Sequence, residues 1–295
     1  MSDDVTTSAR RPGLKAVAGM VRTAARSMRL IDRAQSALLE ISGGLLGAAL
    51  TPDELDYVTL RLYALDTSSY DSARGLFPWE REWYADSLPA APARLLVTAA
   101  GRGREVRALR ELGYEVDAFE PVPAFAEACA ALPGDGETVV TDYAGLCRAL
   151  LDDGAGPAAR FAGRTYDAVI LGWGSFTHLL DATAQRRVLA AAAELTPHGP
   201  ILASFFAVPA SLFAAASDKR PPLRRSRRLG AAAGRPAGRL RGLPAAPPDL
   251  ELYWHLGFVR RFTEAEFREM ADALGRRLEW GDPSAYGHAV LAPRD

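Results

Sequence analysis

The sequence predicts an α/β protein built on a doubly wound sheet, and three observations carry that prediction. Between residues 94 and 206 short apolar runs alternate with stretches of helical periodicity, the pattern of a parallel sheet covered by helices on both faces. The first of these runs ends in a tight turn of small residues and glycines that opens directly into a helix. The 295 residues are 48% hydrophobic and 24% charged, the proportions of an ordinary globular chain.

Residues 14–45 come first. Leu14, Val17, Val21, Ala24, Met28, Ile31, Ala34, Leu38, Ile41 and Leu45 fall on one helical face, with Lys15, Arg22, Arg26, Arg29 and Arg33 on the other. Gly43-Gly44 is expected to end this helix. Thr51-Pro52-Asp53-Glu54 then reads as a helix start with a capping box, and that helix runs to about Ala64. Tyr70, Phe77, Trp79, Trp83 and Tyr84 form an aromatic lead-in, which either walls a pocket or packs this segment onto the sheet.

Strands follow at Arg94–Thr98, Tyr114–Phe119, Thr138–Val140, Tyr166–Leu171 and Ile201–Phe206. Helices fall between them near 104–112, 122–132, 144–152 and 182–195. The pattern breaks at about residue 207. Lys219 to Pro248 holds nine Lys or Arg, no Asp or Glu, and much Pro, Gly and Ala, which reads as an inserted loop or a partly mobile arm. A second capping box, Thr263–Glu266, starts a helix that stops at Gly275. Arg277–Trp280 and Tyr286–Leu291 are expected to form a hairpin around Gly281-Asp282-Pro283. The expected organisation is a helical extension and lead-in (1–92), a core (93–206 and 250–295) and a basic insertion (207–249).

With 35 basic and 36 acidic residues the net charge is −1, so no global field draws the chain to nucleic acid. Two cysteines exclude a disulfide framework, and the four scattered histidines make no zinc spacing, so no metal is expected. Leu195–Ser217 carries no charge, but Pro197, Pro200 and Pro209 break it, so no transmembrane span is expected. No secretory signal is recognisable, and the expected location is the cytoplasm.

The glycine turn, Thr98-Ala99-Ala100-Gly101-Arg102-Gly103, lets a ligand approach the backbone at a helix N-terminus, although many such turns serve packing alone. Glu120 lies 17 residues beyond Gly103 at the end of the second strand, where a carboxylate accepts from both ribose hydroxyls of a nucleoside. Asp142 ends the third strand, in reach of an adenine amino group. Ligands in open α/β sheets bind at these carboxyl ends. Val106 replaces the third glycine of a dinucleotide fingerprint, and neither a P-loop nor a nucleophile elbow occurs.

These segments resemble the class I S-adenosylmethionine-dependent methyltransferases, over about 94–206 and 250–295. VTAAGRGREVRAL is similar to the family's glycine motif, in a thiopurine-methyltransferase-like variant whose helix starts G-x-G-R-E-V. Val97 stands where many members have an acid, and Ala99 where the first glycine is common. YEVDAFEP resembles the ribose motif, TDYAGL the adenine motif, and YDAVILGWGSFTHL the fourth-strand motif that faces the methyl group. The resemblance implies a Rossmann-like seven-stranded sheet with an antiparallel last strand, and S-adenosyl-L-methionine as cofactor. It places Ala99, Gly101, Gly103, Glu120, Pro121, Asp142, Tyr143, Gly172 and Trp173 around that cofactor.

The implied activity is methyl transfer to a small molecule or a peptide. The N-type signature of nucleic-acid amino-methyltransferases is absent after the fourth strand. His178 is the candidate general base, since imidazole titrates near neutral pH; the competing reading is a capping or packing histidine. His255 either faces the acceptor pocket or serves a structural role. Two alternatives stay open. One is an RNA methyltransferase guided by Lys219–Arg241; the other is a non-catalytic binding protein of this fold. A homodimer through the N-terminal helices also stays open.

Overall fold

The computed structural model describes residues 12–65, 74–152, 154–208, 225–245, 250–253, 255–281 and 286–294, with side chains from residue 20 onward. Tyr70, Trp254, the turn residues Asp282 and Pro283, and residues 209–224 and 246–249 of the insertion lie outside it.

Short apolar runs become the centre of the sheet. β1 (Arg94–Thr98), β2 (Glu115–Glu120), β3 (Thr138–Val140), β4 (Ala168–Leu171) and β5 (Ile201–Phe205) run parallel. β8 (Arg276–Trp280) and β9 (Gly287–Pro293) complete the sheet in the order β3-β2-β1-β4-β5-β9-β8, and β9 is antiparallel to both neighbours. Alternate residues feed opposite layers. Leu95, Val97, Ile170 and Leu202 face one layer, while Leu96, Val169, Leu171 and Ala203 face the other. This is the doubly wound sheet that the pattern predicts, with the antiparallel last strand that the resemblance implies. α4 (Arg104–Glu111), α5 (Pro123–Ala130), α6 (Tyr143–Leu151) and α7 (Ala182–Leu195) cross between the parallel strands.

α1 (Pro12–Ala49) departs from expectation, because Gly43-Gly44 does not end it. A Cβ on Gly44 would lie 2.3 Å from the Arg227 carbonyl oxygen, so this glycine serves helix contact instead. The partner is a second correction. Residues 225–240, read as loop, form α8 (Arg225–Leu240), which lies on α1. Gly230, Gly234 and Gly238 recur every four residues on one face. A Cβ at each would lie 2.0, 2.3 and 2.1 Å from the carbonyl oxygens of Ile41, Leu45 and Ala48. Both pairings advance in the same direction, so the helices run parallel in backbone contact. Glycine and proline lower intrinsic helix propensity, which is why composition misled here; tertiary contact holds the helix.

α2 (Pro52–Leu65) opens with the expected box: Thr51 N donates to Glu54 Oε2 at 2.8 Å, and Glu54 N donates to Thr51 Oγ1 at 3.2 Å. α3 (Pro78–Ser87) is a helix within the aromatic lead-in, with Phe77 N donating to Glu80 Oε2 at 2.7 Å. Trp79 stacks on Tyr286 and His288, which fixes this lead-in to the sheet's antiparallel edge. β6 (Glu251–Tyr253) and β7 (Gly257–Val259) form a hairpin beside α2, and α9 (Glu264–Ala273) follows the Thr263 box. No helix among the described residues is long and apolar enough to cross a membrane.

Candidate active site

β1 delivers the chain into a left-handed turn. Ala99, Gly101 and Gly103 have φ of 48°, 59° and 84°. Two of the three are glycines, for which such angles carry little penalty, whereas Ala99 holds its angle against its own Cβ. Gly103 faces α5: a Cβ there would lie 2.4 Å from Leu132 Cδ1 and 2.9 Å from Cys129 Sγ. It therefore brings turn and helix together. Gly101 borders open space, with the Tyr63 hydroxyl 3.1 Å from where its Cβ would be.

Glu120 ends β2 beside this turn and is 1% exposed. Gly101 N donates to Oε2 at 2.8 Å, and Val122 N donates to Oε1 at 3.0 Å. Each oxygen thus has one backbone donor and spare acceptor capacity. Burial pushes the carboxyl up to about 7, and the Val122 and Gly101 bonds pull in the opposite direction.

Asp142 caps α6, its Oδ1 accepting from Gly145 N at 2.6 Å. Tyr143 follows at the first helical position. Its hydroxyl lies 2.8 Å from Thr98 Oγ1 and 2.6 Å from Ser175 Oγ, bridging β1 to the turn after β4. Burial holds this phenol well above its ordinary value, so it acts as a neutral hydrogen-bonding group. Past β4, Gly172 N donates to Thr98 O at 3.1 Å, and a Cβ on Gly172 would lie 2.5 Å from that oxygen. The glycine lets the two strand ends close on each other.

A buried ionic cluster, missed in the sequence, fixes the next residue. Arg104 pairs with Glu80 through two bonds of 2.5 and 2.6 Å. Glu105 accepts from the Tyr84 hydroxyl on one oxygen and from Trp173 N at 3.0 Å on the other. The Arg104 guanidinium lies over Phe77 and Trp173, 4.5 and 5.3 Å from the ring centroids. Burial and the Glu105 carboxylate hold the Tyr84 phenol well above its usual range. The only sequence signal was the Arg-Glu pair that immediately follows the glycine turn.

His178 ends a short 3₁₀ turn at Ser175–His178. Its Nδ1 lies 2.9 Å from the Phe258 carbonyl oxygen. A carbonyl only accepts, so Nδ1 carries the proton and Nε2 keeps a lone pair. Burial lowers the imidazole's pKa, so the ring is neutral at pH 7.

These residues converge on a cavity of about 810 Å³ at the carboxyl ends of the strands. Ala99, Gly101, Glu120, Pro121, Asp142, Tyr143, Trp173 and His178 line it; Gly103 and Gly172 shape it from behind. His255 and Tyr286 also line it, as does a stripe of α2: Asp56, Thr59, Leu60 and Tyr63. That stripe was not anticipated. Asp56 opens onto the cavity and is exposed, and partial loss of water there, then Asp53 and Asp142, push its carboxyl up. No residue of α8 reaches the wall. Among the described residues no cluster of His, Cys, Asp and Glu is arranged to hold a metal ion.

No family model and no curated protein matches the chain. Solved structures that it resembles include a 1,6-didemethyltoxoflavin-N1-methyltransferase from Burkholderia thailandensis, 19% identical over 83% of this chain and 92% of that one, with a TM-score of 0.49. A methyltransferase from Methanosarcina mazei is 13% identical over 75% and 100% of the two chains, TM-score 0.48. An amino pentose methyltransferase from Micromonospora echinaspora is 17% identical over 84% and 94%, TM-score 0.45. The sheet order β3-β2-β1-β4-β5-β9-β8 with an antiparallel β9 is the Rossmann-like arrangement that the sequence resemblance implies.

Proposed function

We propose that the protein is an S-adenosylmethionine-dependent methyltransferase acting on a small molecule or a peptide. The observation that carries this reading is Glu120, a buried carboxylate with spare acceptor capacity beside a left-handed glycine turn, opening on one cavity. Its volume is near the upper end of ordinary ligand pockets, roughly 300–1,000 Å³, which suits a nucleoside cofactor together with an acceptor.

Glu120 accepts the two ribose hydroxyls while keeping its bonds to Gly101 and Val122. Ala99 and Gly101 present turn backbone. Pro121 and Tyr143 flank the nucleoside, and Asp142, with one oxygen committed to its cap, offers the other to the adenine amino group. Trp173, fixed by Glu105, walls the methyl side. When bound, the cofactor would supply an electrophilic sulfonium methyl for in-line transfer to an acceptor atom, with the thioether sulfur of S-adenosylhomocysteine as leaving group. The chain's own tasks are alignment and exclusion of water. For a hydroxyl acceptor, His178 takes the proton on Nε2 while Nδ1–H stays on the Phe258 carbonyl. Among the described residues, α2, the 175–178 turn and His255 wall the acceptor side.

Calorimetry with S-adenosylhomocysteine tests the reading, with one-site binding expected. A wild-type chain that is folded and binds neither this ligand nor S-adenosylmethionine rules it out. A labelled-methyl screen of small hydroxyl, amine and thiol compounds then identifies the acceptor.

A further inference from the structure

We infer that Thr59 is a positioning residue for His178, acting across α2 and the hairpin through the peptide group of Phe258. The inference rests on the reading of His178 as the base of this cavity.

Phe258 is fully buried, and both of its backbone groups point away from the hairpin ladder. Its N–H donates to Thr59 Oγ1 at 2.9 Å. Its carbonyl accepts from His178 Nδ1 at 2.9 Å. The register pairs Phe258 with Leu252, with Tyr253↔Gly257 and Glu251↔Val259 on either side. In an antiparallel pair, alternate residues turn both their N–H and C=O outward, to the same edge. Phe258 is such a residue, so the hydroxyl of α2 and the imidazole meet one edge of one peptide-bearing residue.

The junction is built for contact. Gly257 has φ of 81°, and a Cβ on it would lie 2.5 Å from Thr59 Cα, so the hairpin rests on the α2 backbone. The 3₁₀ turn is also tied at Thr177, whose Oγ1 accepts from Phe206 N at 2.7 Å past β5 and whose carbonyl accepts from Arg260 N at 3.0 Å on the same hairpin edge as Phe258. With the turn tied at Thr177, the placement of the Phe258 carbonyl, set in turn by its N–H bond to Thr59, decides which ring nitrogen carries the proton.

Removing the Thr59 hydroxyl orphans a buried N–H, which relaxes toward another acceptor. The carbonyl then leaves Nδ1, the ring samples the Nε2–H tautomer, and the lone pair is withdrawn from the cavity. Thr59 shares its helical face with Asp56, Leu60 and Tyr63, so the segment that walls the acceptor side also sets the base.

Long-range ¹H–¹⁵N spectra of the labelled full chain at pH 7.5 read the tautomer directly, with His178 assigned through His178→Gln. The wild type is expected to show a single Nδ1–H form. Thr59→Val, which keeps the shape, should lose that single-form signature, and Thr59→Ser should retain it. Where circular dichroism shows Thr59→Val unfolded, Thr59→Ala is read in its place. A wild-type Nε2–H form, or a hydroxyl-free variant with the wild-type spectrum, overturns the inference. Failure of the wild type to bind S-adenosylhomocysteine sinks the methyltransferase reading instead, and leaves the tautomer result standing.

Discussion

Acidifying the solution from pH 8 to pH 6 should weaken cofactor binding about tenfold, through Glu120. The carboxyl is 1% exposed, and burial pushes it from 4.5 to about 7 despite its two backbone donors. Ribose hydroxyls donate hydrogen bonds, so the ligand selects the ionised form and competes with a proton. With a free-state value near 7, roughly ten in eleven molecules are ionised at pH 8 and about one in eleven at pH 6. The ratio is about 1.4 kcal/mol of binding free energy. The sign is fixed: affinity rises with pH and levels off above about 7. Calorimetry with S-adenosylhomocysteine in two buffers of different ionisation heat measures both parts, and near pH 6 binding should release close to one proton. Asp56 titrates in the same window and faces the same cavity, so Glu120→Gln is the control. It keeps the side chain's shape and should flatten the profile. A wild-type affinity that is level between pH 6 and 8, or a profile unchanged in Glu120→Gln, refutes the assignment of Glu120 to the ribose.

Gly230→Val drives a side chain into the Ile41 carbonyl and should unseat α8 from α1. Limited proteolysis within 225–245 should accelerate while cofactor affinity holds, and a protease pattern like the wild type's would contradict the backbone contact. Ala99→Gly removes a Cβ from a left-handed residue and should stabilise the chain by about 0.5–1 kcal/mol after the cost in unfolded-state entropy; a lowered urea midpoint would count against strain at this position. Arg104→Met leaves Glu80 buried without its partner, and a loss of about 3–5 kcal/mol is expected in chemical denaturation. A loss below about 1 kcal/mol would mean that the pair is not held as ions.

What was legible in the sequence followed from rules that act over a few residues. β1, β2, β4 and β5 are apolar runs of the right length, and Glu120 stands at the end of one, so both the strand and the carboxylate that lines the cavity could be read from position. The capping boxes at Thr51 and Thr263 formed as written because both partners lie within one turn. The failures share a cause: the deciding contact is remote in sequence. Gly43-Gly44 looks like a stop until Leu252 and Arg227 are seen against it. The glycines of α8 look like a loop until α1 is laid beside them. Gly103 was assigned to ligand approach, but it faces Leu132 and Cys129. Arg104 and Glu105 look like solvated charge, yet they are buried and serve Glu80, Tyr84 and Trp173. The cavity stripe of α2 carries an aspartate, a threonine, a leucine and a tyrosine, which no hydropathy pattern joins.

The contact between α1 and α8 also sets a timetable. Ser226 donates to Glu40 across 186 residues of chain. At a synthesis rate of roughly 5–20 residues per second, α1 leaves the ribosome about 10–40 s before its partner exists. Through that interval the parallel core strands can assemble behind it, while the carbonyl ridge at Ile41, Leu45 and Ala48 waits for a helix not yet translated. Closure of this long loop is then a late step of maturation, together with the entry of β9 beside β5, and slow translation between residues 50 and 225 would lengthen the nascent chain's exposure with the finished architecture unchanged.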